Sequence, residues 1–332
     1  MRIAWFRATA PDTSDPLDDS ALLIGELRSA HDIDVITEQR AHDFVWLQFL
    51  RPWDLCVYEL DNTPAGQYVP AYLINYPGVV MLRSTDLPHL RVPLLASRCV
   101  VTSSEAAADV LRARYPDACV RVAPIGIHAR ATTNRGDHLA TFAVVDDRPR
   151  DAEVVHRAFR RARDAGTRFK TIEDAGACDV LIAPGWPPGH RTATALLAGL
   201  ASGKAVVTME MDATAGWPAL DPQTWRPRGL AVTEPPIAVT IDARDEEHSL
   251  LLAVRRLSGD AALREQLGNA ARQWWATHAT PAHAAAAWLP IVNEAVSLSP
   301  PPRPRDWPAQ FRRDGTELVR GILSEFGITP PS

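Results

Sequence analysis

The sequence predicts an α/β protein with two doubly wound parallel sheets that face each other across a cleft. Short apolar segments alternate with segments of helical period over the first 128 residues, and the same alternation starts again near residue 139. Fully apolar strands that are separated by helices are typical of parallel sheets covered on both faces. The 332 residues are enough for two domains, each with its own hydrophobic core.

The first half of the chain contains six predicted strands, each short and apolar. They are RIAWF (2–6), IDVIT (33–37), DLCVYEL (54–60), GVVMLR (78–83), CVVTSS (99–104) and VRVAPIG (120–126). Apolar residues recur at helical spacing between them, which predicts helices at 19–30, around Phe44 and Leu50, at 64–76 and at 104–115. Residues 1–128 are therefore predicted to form the first domain.

The segment IHARATTNRGDH at 127–138 has the composition of a linker, and the pattern restarts after it. We predict a linker at 129–138, a second domain at 139–278, and a tail of helices with a proline-rich break at 279–332 that packs back on the first domain. The predicted strands are LATFAVV (139–145), RFKTI (168–172), DVLIAP (179–184), AVVTM (205–209) and IAVTID (237–242). The predicted helices are 152–165, 192–202, 246–257, 261–278, 281–296 and 310–326.

Composition excludes several classes of function. The net charge of −5 argues against a general nucleic-acid binder, which needs a basic face, and against electrostatic docking on an anionic membrane. The four cysteines lie in apolar segments without CxxC spacing, so we expect neither a metal site nor a redox pair. No apolar run approaches the roughly 20 residues of a membrane span, and MRIAWFRATAPDT does not resemble a signal peptide. We expect a cytoplasmic protein that is not inserted in a membrane.

The segment GHRTATALLAGLASGKAVV at 189–207 ends like a phosphate-binding P-loop, but its spacing is wrong. A P-loop has four residues between its glycines, followed by Lys and by Ser or Thr. Here three residues separate Gly199 from Gly203, and Ala205 follows Lys204, so the magnesium-binding hydroxyl is missing. The end of this segment is therefore not predicted to hold a nucleotide.

The polarity of the helix predicted in this segment instead favours an anion at the N-terminal end of the segment. Helical spacing predicts a helix at 192–202 with Gly203 as its C-cap, followed by a buried strand. Lys204 then stands at the negative end of the helix, where a cation is favourable. The positive end lies at Gly189 to Thr194, which is where we expect a phosphate.

Five segments of the chain carry a resemblance to a known family. They are YELDNTPAGQYVPAYLINYPGVVMLRSTDLPHL (58–90), CVVTSSEAAADVLRARYPDACVRVAPIGI (99–127), ATALLAGLASGKAVVTME (193–210), WPALDPQTWRPRG (217–229) and HATPAHAAAAWLPIVNEA (278–295). Together they resemble the bacterial retaining nucleotide-sugar glycosyltransferases (glycosyltransferase group 1, or family 4-like), whose GT-B fold has two Rossmann-like domains. The resemblance spans most of residues 1–298.

The resemblance implies the transfer of a hexose from a UDP- or GDP-linked sugar to a glycan or small-molecule acceptor, with retention of configuration and no cofactor. In this family the second domain binds the donor. Backbone amides at a helix N-terminus hold the diphosphate, and a basic residue after the domain's first strand binds the phosphates. A helix dipole and an arginine can stabilise a leaving pyrophosphate without a metal ion.

Carried over residue by residue, the resemblance implies a donor site and an acceptor side. The donor and its phosphates are expected at Arg148, Arg150, Gly189, His190, Arg191, Thr192 and Thr194. The acceptor side is expected at Asn62, Arg83 and Ser84, with His89 as the catalytic base.

The sequence departs from the family at several motif positions. The paired glutamates of the family fall on His190 and Ala198, and the His-Asp pair of the subgroup falls on Arg83 and Ser84. Its glycine-containing first loop falls on DPLDDS at 15–20, which has no glycine. A catalytically silent GT-B domain that binds a nucleotide, a sugar or a partner protein is therefore an alternative. An epimerase-like enzyme on the same fold is a third possibility, because fold does not fix function.

Structural roles compete with functional ones at three of the predicted site residues. Arg150 opens a helix, where a solvated arginine is common. Thr192 is a natural N-cap, since its hydroxyl can accept a hydrogen bond from the first turn. His89 stands in DLPHL, which also fits a buried connector. These alternatives stay open on the sequence alone.

Overall fold

The protein is described here by a computed structural model. It covers residues 1–12, 14–15, 17–61, 63–85, 87, 89–129, 139–145, 149–173, 175–184, 190–211, 214–228, 234–307 and 317–327, with the backbone alone at 149–152, 190–192 and 317–320. Two six-stranded sheets form its centre, which confirms the predicted α/β class. Within these ranges no helix is long and apolar enough to cross a membrane.

The first sheet is built from the six strands that the sequence predicts. They are β1 (Arg2–Phe6), β2 (Asp32–Ile36), β3 (Leu55–Leu60), β4 (Val79–Leu82), β5 (Cys99–Thr102) and β6 (Val120–Val122). All pairs are parallel, in the order β2-β1-β3-β4-β5-β6. The helices are α1 (Asp19–Leu27), α2 (Glu38–Leu50), α3 (Val69–Asn75), α4 (Arg91–Ala96) and α5 (Glu105–Arg114). The sequence does not predict α4, whose six residues are too few for a helical period to be recognised.

The second sheet is also parallel and has the order β11-β12-β10-β9-β7-β8, where the labels follow the chain. Its strands are β7 (Thr141–Val144), β8 (Lys170–Thr171), β9 (Val180–Ala183), β10 (Ala205–Met209), β11 (Ala219–Leu220) and β12 (Ala238–Ile241). The helices are α6 (Pro149–Asp164), α7 (His190–Ala201), α8 (Glu246–Gly259), α9 (Ala261–His278), α10 (Pro281–Ser297) and α11 (Glu317–Glu325). Only β11, with two residues, is not predicted from the sequence. The linker predicted at 129–138 lies almost entirely outside the described residues, so its bounds stay a prediction.

The side chains of the first sheet alternate between two hydrophobic cores. Phe6 and Tyr58 point into one core, whereas Trp5 points into the other, as the period of two in a strand requires. On the Trp5 side, α10 packs beside α1, and the Trp5 and Trp288 rings lie with centroids 5.7 Å apart. Helix α10 follows the second sheet in sequence, but its buried face completes the core of the first domain.

The chain passes between the two sheets twice, and the two crossings lie side by side. The Ile127 amide donates to the Ala279 carbonyl at 3.0 Å, and Nε1 of Trp275 donates to the Ile127 carbonyl at 3.2 Å. Gly126 approaches Thr280 so closely that a Cβ at Gly126 would lie 2.5 Å from the Thr280 carbonyl oxygen. The contact between the crossings therefore depends on the absence of a side chain at Gly126.

We expect Gly126→Ala to lower the free energy of unfolding by about 1–3 kcal/mol, because the added methyl group must push two backbone segments apart. Urea unfolding followed by tryptophan fluorescence measures the change. The matched control is Gly25→Ala in α1, where a Cβ meets no atom within 4 Å. That variant should gain up to about 1 kcal/mol from helix propensity. A stability loss of the same size in both variants would contradict the steric argument.

Arg121 of β6 and Glu294 of α10 form a two-point ion pair. Nη2 donates to Oε1 at 2.5 Å and Nε donates to Oε2 at 3.1 Å. The hydrogen bond from Arg121 holds the pKa of Glu294 below its ordinary value of 4.5. A carboxylate with a depressed folded-state pKa contributes stability above its unfolded pKa, and this contribution is lost as the pH falls through the folded pKa.

We expect Glu294→Gln to lower the thermal midpoint near neutral pH and to match the parent protein once the pH falls below the folded pKa of Glu294. Scanning calorimetry across the acidic range measures this convergence. Glu26→Gln, which changes an exposed glutamate of α1, should leave the midpoint unchanged throughout. A difference between parent and Glu294→Gln that persists at low pH would show that the pair does not act through charge.

Candidate functional site

Two helices begin at one edge of the second sheet. Helix α6 follows β7 and helix α7 follows β9 along the chain, and β7 and β9 are neighbouring parallel strands, with Val144 paired to Ile182. Because parallel strands end at the same edge, both helices begin there, at the point where the strand order reverses. This edge is the usual ligand position of an open parallel sheet, and two positive helix ends converge on it.

A cavity of about 50 Å³ lies between the two domains beside α7. Ser103, Pro124 and Ile125, which follow β5 and β6, line one side of it. Ala193 and Leu197, from the first two turns of α7, line the other side. The cavity is smaller than the roughly 300–1,000 Å³ of typical ligand sites, so we take it as part of a cleft wall. The residues that line it show that the beginning of α7 faces the carboxyl edge of the first sheet.

An aromatic group closes this cavity from the second domain. The Trp274 ring stacks on His278 with centroids 4.7 Å apart and an interplanar angle of 10°, and Trp217 lies 5.5 Å from Trp274. Nδ1 of His278 lies 2.9 Å from the Trp274 carbonyl oxygen, which fixes the imidazole against the helix end. Sequence analysis missed these lining residues, because Trp217 and Trp274 come together only in the fold.

Arg83 lies in a buried ion cluster at the carboxyl edge of the first sheet. Its guanidinium is hydrogen-bonded to Asp19 and Ser20, and a second carboxylate, that of Glu59, lies 3.6 Å from Nη2. Glu59 also accepts a hydrogen bond of 2.6 Å from Nε1 of Trp5. Burial disfavours the charge on Arg83, but Asp19 and Glu59 outweigh this cost and hold the pKa of Arg83 above its ordinary value. The guanidinium is therefore charged and held in place.

The loop that lacks the family's glycine supplies carboxylates to this cluster. Nη2 of Arg7 donates to both carboxylate oxygens of Asp18 at 3.0 Å, next to the Asp19–Arg83 pair. Asp19 and Arg83 line a second cavity of about 20 Å³ together with Thr102 and residues of the first crossing. The segment after β1 therefore contributes fixed negative charge at the carboxyl edge of the first sheet.

The residues predicted on the acceptor side differ in burial and do not share one cavity. Arg83 belongs to the buried cluster, and Ser84 beside it is half-buried. His89 is exposed in the turn before α4, with a left-handed φ of 59°, and lines none of the cavities found among the described residues. Asn62 lies outside the described residues. The acceptor-side roles therefore stay predictions.

The donor-side predictions fall on the two helix starts. Arg150 stands in the first turn of α6, and His190, Arg191 and Thr192 form the first turn of α7. Thr194, one turn further along α7, is only 1% exposed. Arg148 and Gly189, also predicted to bind the donor, lie outside the described residues. The roles of all these residues stay predictions.

The fold matches known structures, although no family model and no curated protein matches the chain. HepE of Anabaena, solved with UDP-glucose, has a TM-score of 0.60 at 12% identity over 89% of this chain and 100% of its own. A glycosyltransferase of Rickettsia africae has a TM-score of 0.58 at 10% identity over 90% of this chain and 99% of its own. A putative UDP-N-acetylglucosamine 2-epimerase of Listeria monocytogenes has a TM-score of 0.52 at 8% identity over 90% of this chain and 98% of its own. These likenesses confirm the GT-B fold with two Rossmann-like domains.

We expect Arg83→Met to lower the free energy of unfolding by about 3–5 kcal/mol, because it leaves Asp19 and Glu59 buried without their counter-ion. Urea unfolding measures the loss. The control is Arg244→Met, which removes an ion pair to Asp242 from an arginine whose side chain is 90% exposed, and it should leave stability almost unchanged. Equal effects of the two substitutions would show that the buried cluster does not stabilise the first domain.

Proposed function

We propose that the protein is a glycosyltransferase that moves a hexose from a UDP- or GDP-linked sugar to a glycan or small-molecule acceptor. The observation that carries the proposal is that two helices begin at the carboxyl edge of the second sheet, one of them beside a cavity that reaches the first domain. Backbone amides and helix dipoles at such an edge favour a diphosphate. The structural likeness to HepE and the Rickettsia enzyme supports the same class of reaction.

The proposed donor site uses the first turns of α6 and α7. Transfer leaves a nucleoside diphosphate, whose negative charge grows as the bond to the sugar breaks. Arg148 and Arg150 would bind the phosphates through charge-assisted hydrogen bonds, and the amides of residues 189–192 would receive the diphosphate. Fixed positive charge of this kind stabilises the leaving group without a metal ion.

The proposed acceptor side is the facing edge of the first sheet. Asn62, Ser84 and the cluster around Arg83 would orient the acceptor hydroxyl, and His89 would take its proton. An imidazole suits this role because it exchanges a proton near neutral pH. Retention of the anomeric configuration is the outcome that the family resemblance favours, and NMR of the product distinguishes it from inversion.

Calorimetry with UDP, GDP, UDP-glucose and GDP-mannose tests the donor site, and an assay of released nucleotide tests turnover. Binding together with slow donor hydrolysis would support the transferase. Binding without any turnover, with or without added acceptors, would favour the catalytically silent domain. The absence of binding to all four compounds would overturn both the transferase and the silent nucleotide-binding domain.

We expect Arg150→Ala to weaken nucleotide binding by at least a few-fold, since it removes one charge-assisted contact to phosphate. Isothermal titration calorimetry measures the change in dissociation constant. Arg160→Ala is the matched control, because Arg160 is an exposed arginine on the same helix, beyond the first turn. If both variants bind the nucleotide as tightly as the parent, Arg150 has no part in the site.

A further inference from the structure

A third and larger cavity lies at the opposite edge of the second sheet. It measures about 420 Å³ and is lined by residues that precede β9, by the end of α7 and by one face of α9. The two helices touch here through glycines, since a Cβ at Gly268 would lie 2.1 Å from the Gly203 carbonyl oxygen. This cavity is at the amino ends of β9 and β10, away from the cleft of the proposed transferase.

Lys204 lines this cavity and forms no ion pair with the carboxylates that the structure describes. The residue is only 7% exposed, and within the described part of the chain no hydrogen-bond acceptor or carboxylate pairs with its side chain. Its position just after the C-cap Gly203, with φ 66°, lets the α7 dipole stabilise the charge by about 0.3–1 kcal/mol. A bound anion would stabilise the same charge further.

Further donors without protein partners surround the same cavity. Ser202 is 8% exposed, whereas Asn269 and Arg272 are exposed at the rim. The Ser202 hydroxyl, the Asn269 amide and the Arg272 guanidinium form no hydrogen bond within the described residues. Arg264 donates through Nη1 to the Leu257 carbonyl at 2.6 Å, which holds the guanidinium at the cavity rim. The positive end of the eighteen-residue helix α9 begins there as well.

Three cationic side chains line the cavity, those of Lys204, Arg264 and Arg272, against two carboxylates, those of Asp179 and Glu265. Oδ2 of Asp179 already accepts hydrogen bonds from the amide and the hydroxyl of Thr141, each at 2.7 Å. Burial raises the pKa of the Cys178 thiol to about 11, although Lys204 opposes the shift, so this thiol carries no negative charge near neutral pH. Glu265 is the remaining acid in the lining, and it is exposed.

We propose that this cavity binds the phosphate group of a small phosphorylated molecule. A phosphate presents three acceptor oxygens in different directions, and the ammonium, guanidinium, hydroxyl and amide donors approach from several elements. A carboxylate offers two oxygens in one plane and would satisfy fewer of them. The volume leaves room for a sugar-sized group beyond the phosphate, within the range of small-molecule sites.

The chain offers a direct spectroscopic test, because Lys170 and Lys204 are its only lysines. Protein labelled with ¹³C at the lysine ε-carbon gives two side-chain resonances, which single substitutions assign. Inorganic phosphate, titrated at constant ionic strength, should shift the Lys204 signal saturably and leave Lys170 unchanged. Equal, non-saturating shifts of both signals, or no shift of either, would overturn the proposal.

Variants at the cavity rim make the test independent of the buried lysine. Arg272→Gln should weaken phosphate binding about tenfold, the loss of one hydrogen bond to a charged group. Arg255→Gln, at an exposed arginine of α8, should have no effect. An Arg272→Gln variant that binds phosphate like the parent would count against the site.

Ligand comparisons test the chemical class. Glucose 6-phosphate should shift the Lys204 signal at least as strongly as inorganic phosphate, whereas glucose should not. Malonate binding as tightly as phosphate would overturn the assignment to phosphate. The Lys204 response should persist in Arg150→Ala, so failure of the proposed donor site and failure of this site are distinguishable.

Discussion

The arrangement of the whole molecule depends on the close contact between the two crossings of the chain. Helix α10 must return to the first domain because one face of its sheet, around Trp5, is covered by α1 and α10 together. The return path runs against the outgoing path at Gly126, where the backbone of Thr280 leaves no room for a side chain. The carboxyl edges of the two sheets therefore meet beside this contact, and the interdomain cavity lies next to it.

Helix α7 links the two proposed anion sites. Its positive end begins at His190 beside the interdomain cavity, and its negative end is capped by Gly203 and followed by Lys204. In the first domain the charge at the facing edge comes from side chains, since Asp19 and Glu59 hold Arg83 in a buried ion cluster. Helix ends and fixed charges therefore supply the electrostatics at both edges of the second sheet and at the carboxyl edge of the first.

Much of the fold could be predicted because its signals are local. Each strand of the first sheet is a short apolar run between helical periods, and each was found within a few residues of its observed bounds. The exceptions are short elements such as β11 and α4, in which two and six residues cannot display a period. The N-terminus of a helix that follows a strand is also marked by nearby residues, so the sequence could predict where α7 begins and where an anion is expected.

The sequence by itself determined the order of strands and helices, the two-domain α/β class and the helix starts that follow β7 and β9. Only the tertiary structure decided which distant side chains share a site. Trp217 and Trp274 form one wall, Arg83 is held by Asp19 and Glu59, and Lys204 is buried beside the face of α9. The physical reason is that burial and charge pairing depend on atoms far away in sequence, whereas periodicity and capping depend on neighbours along the chain.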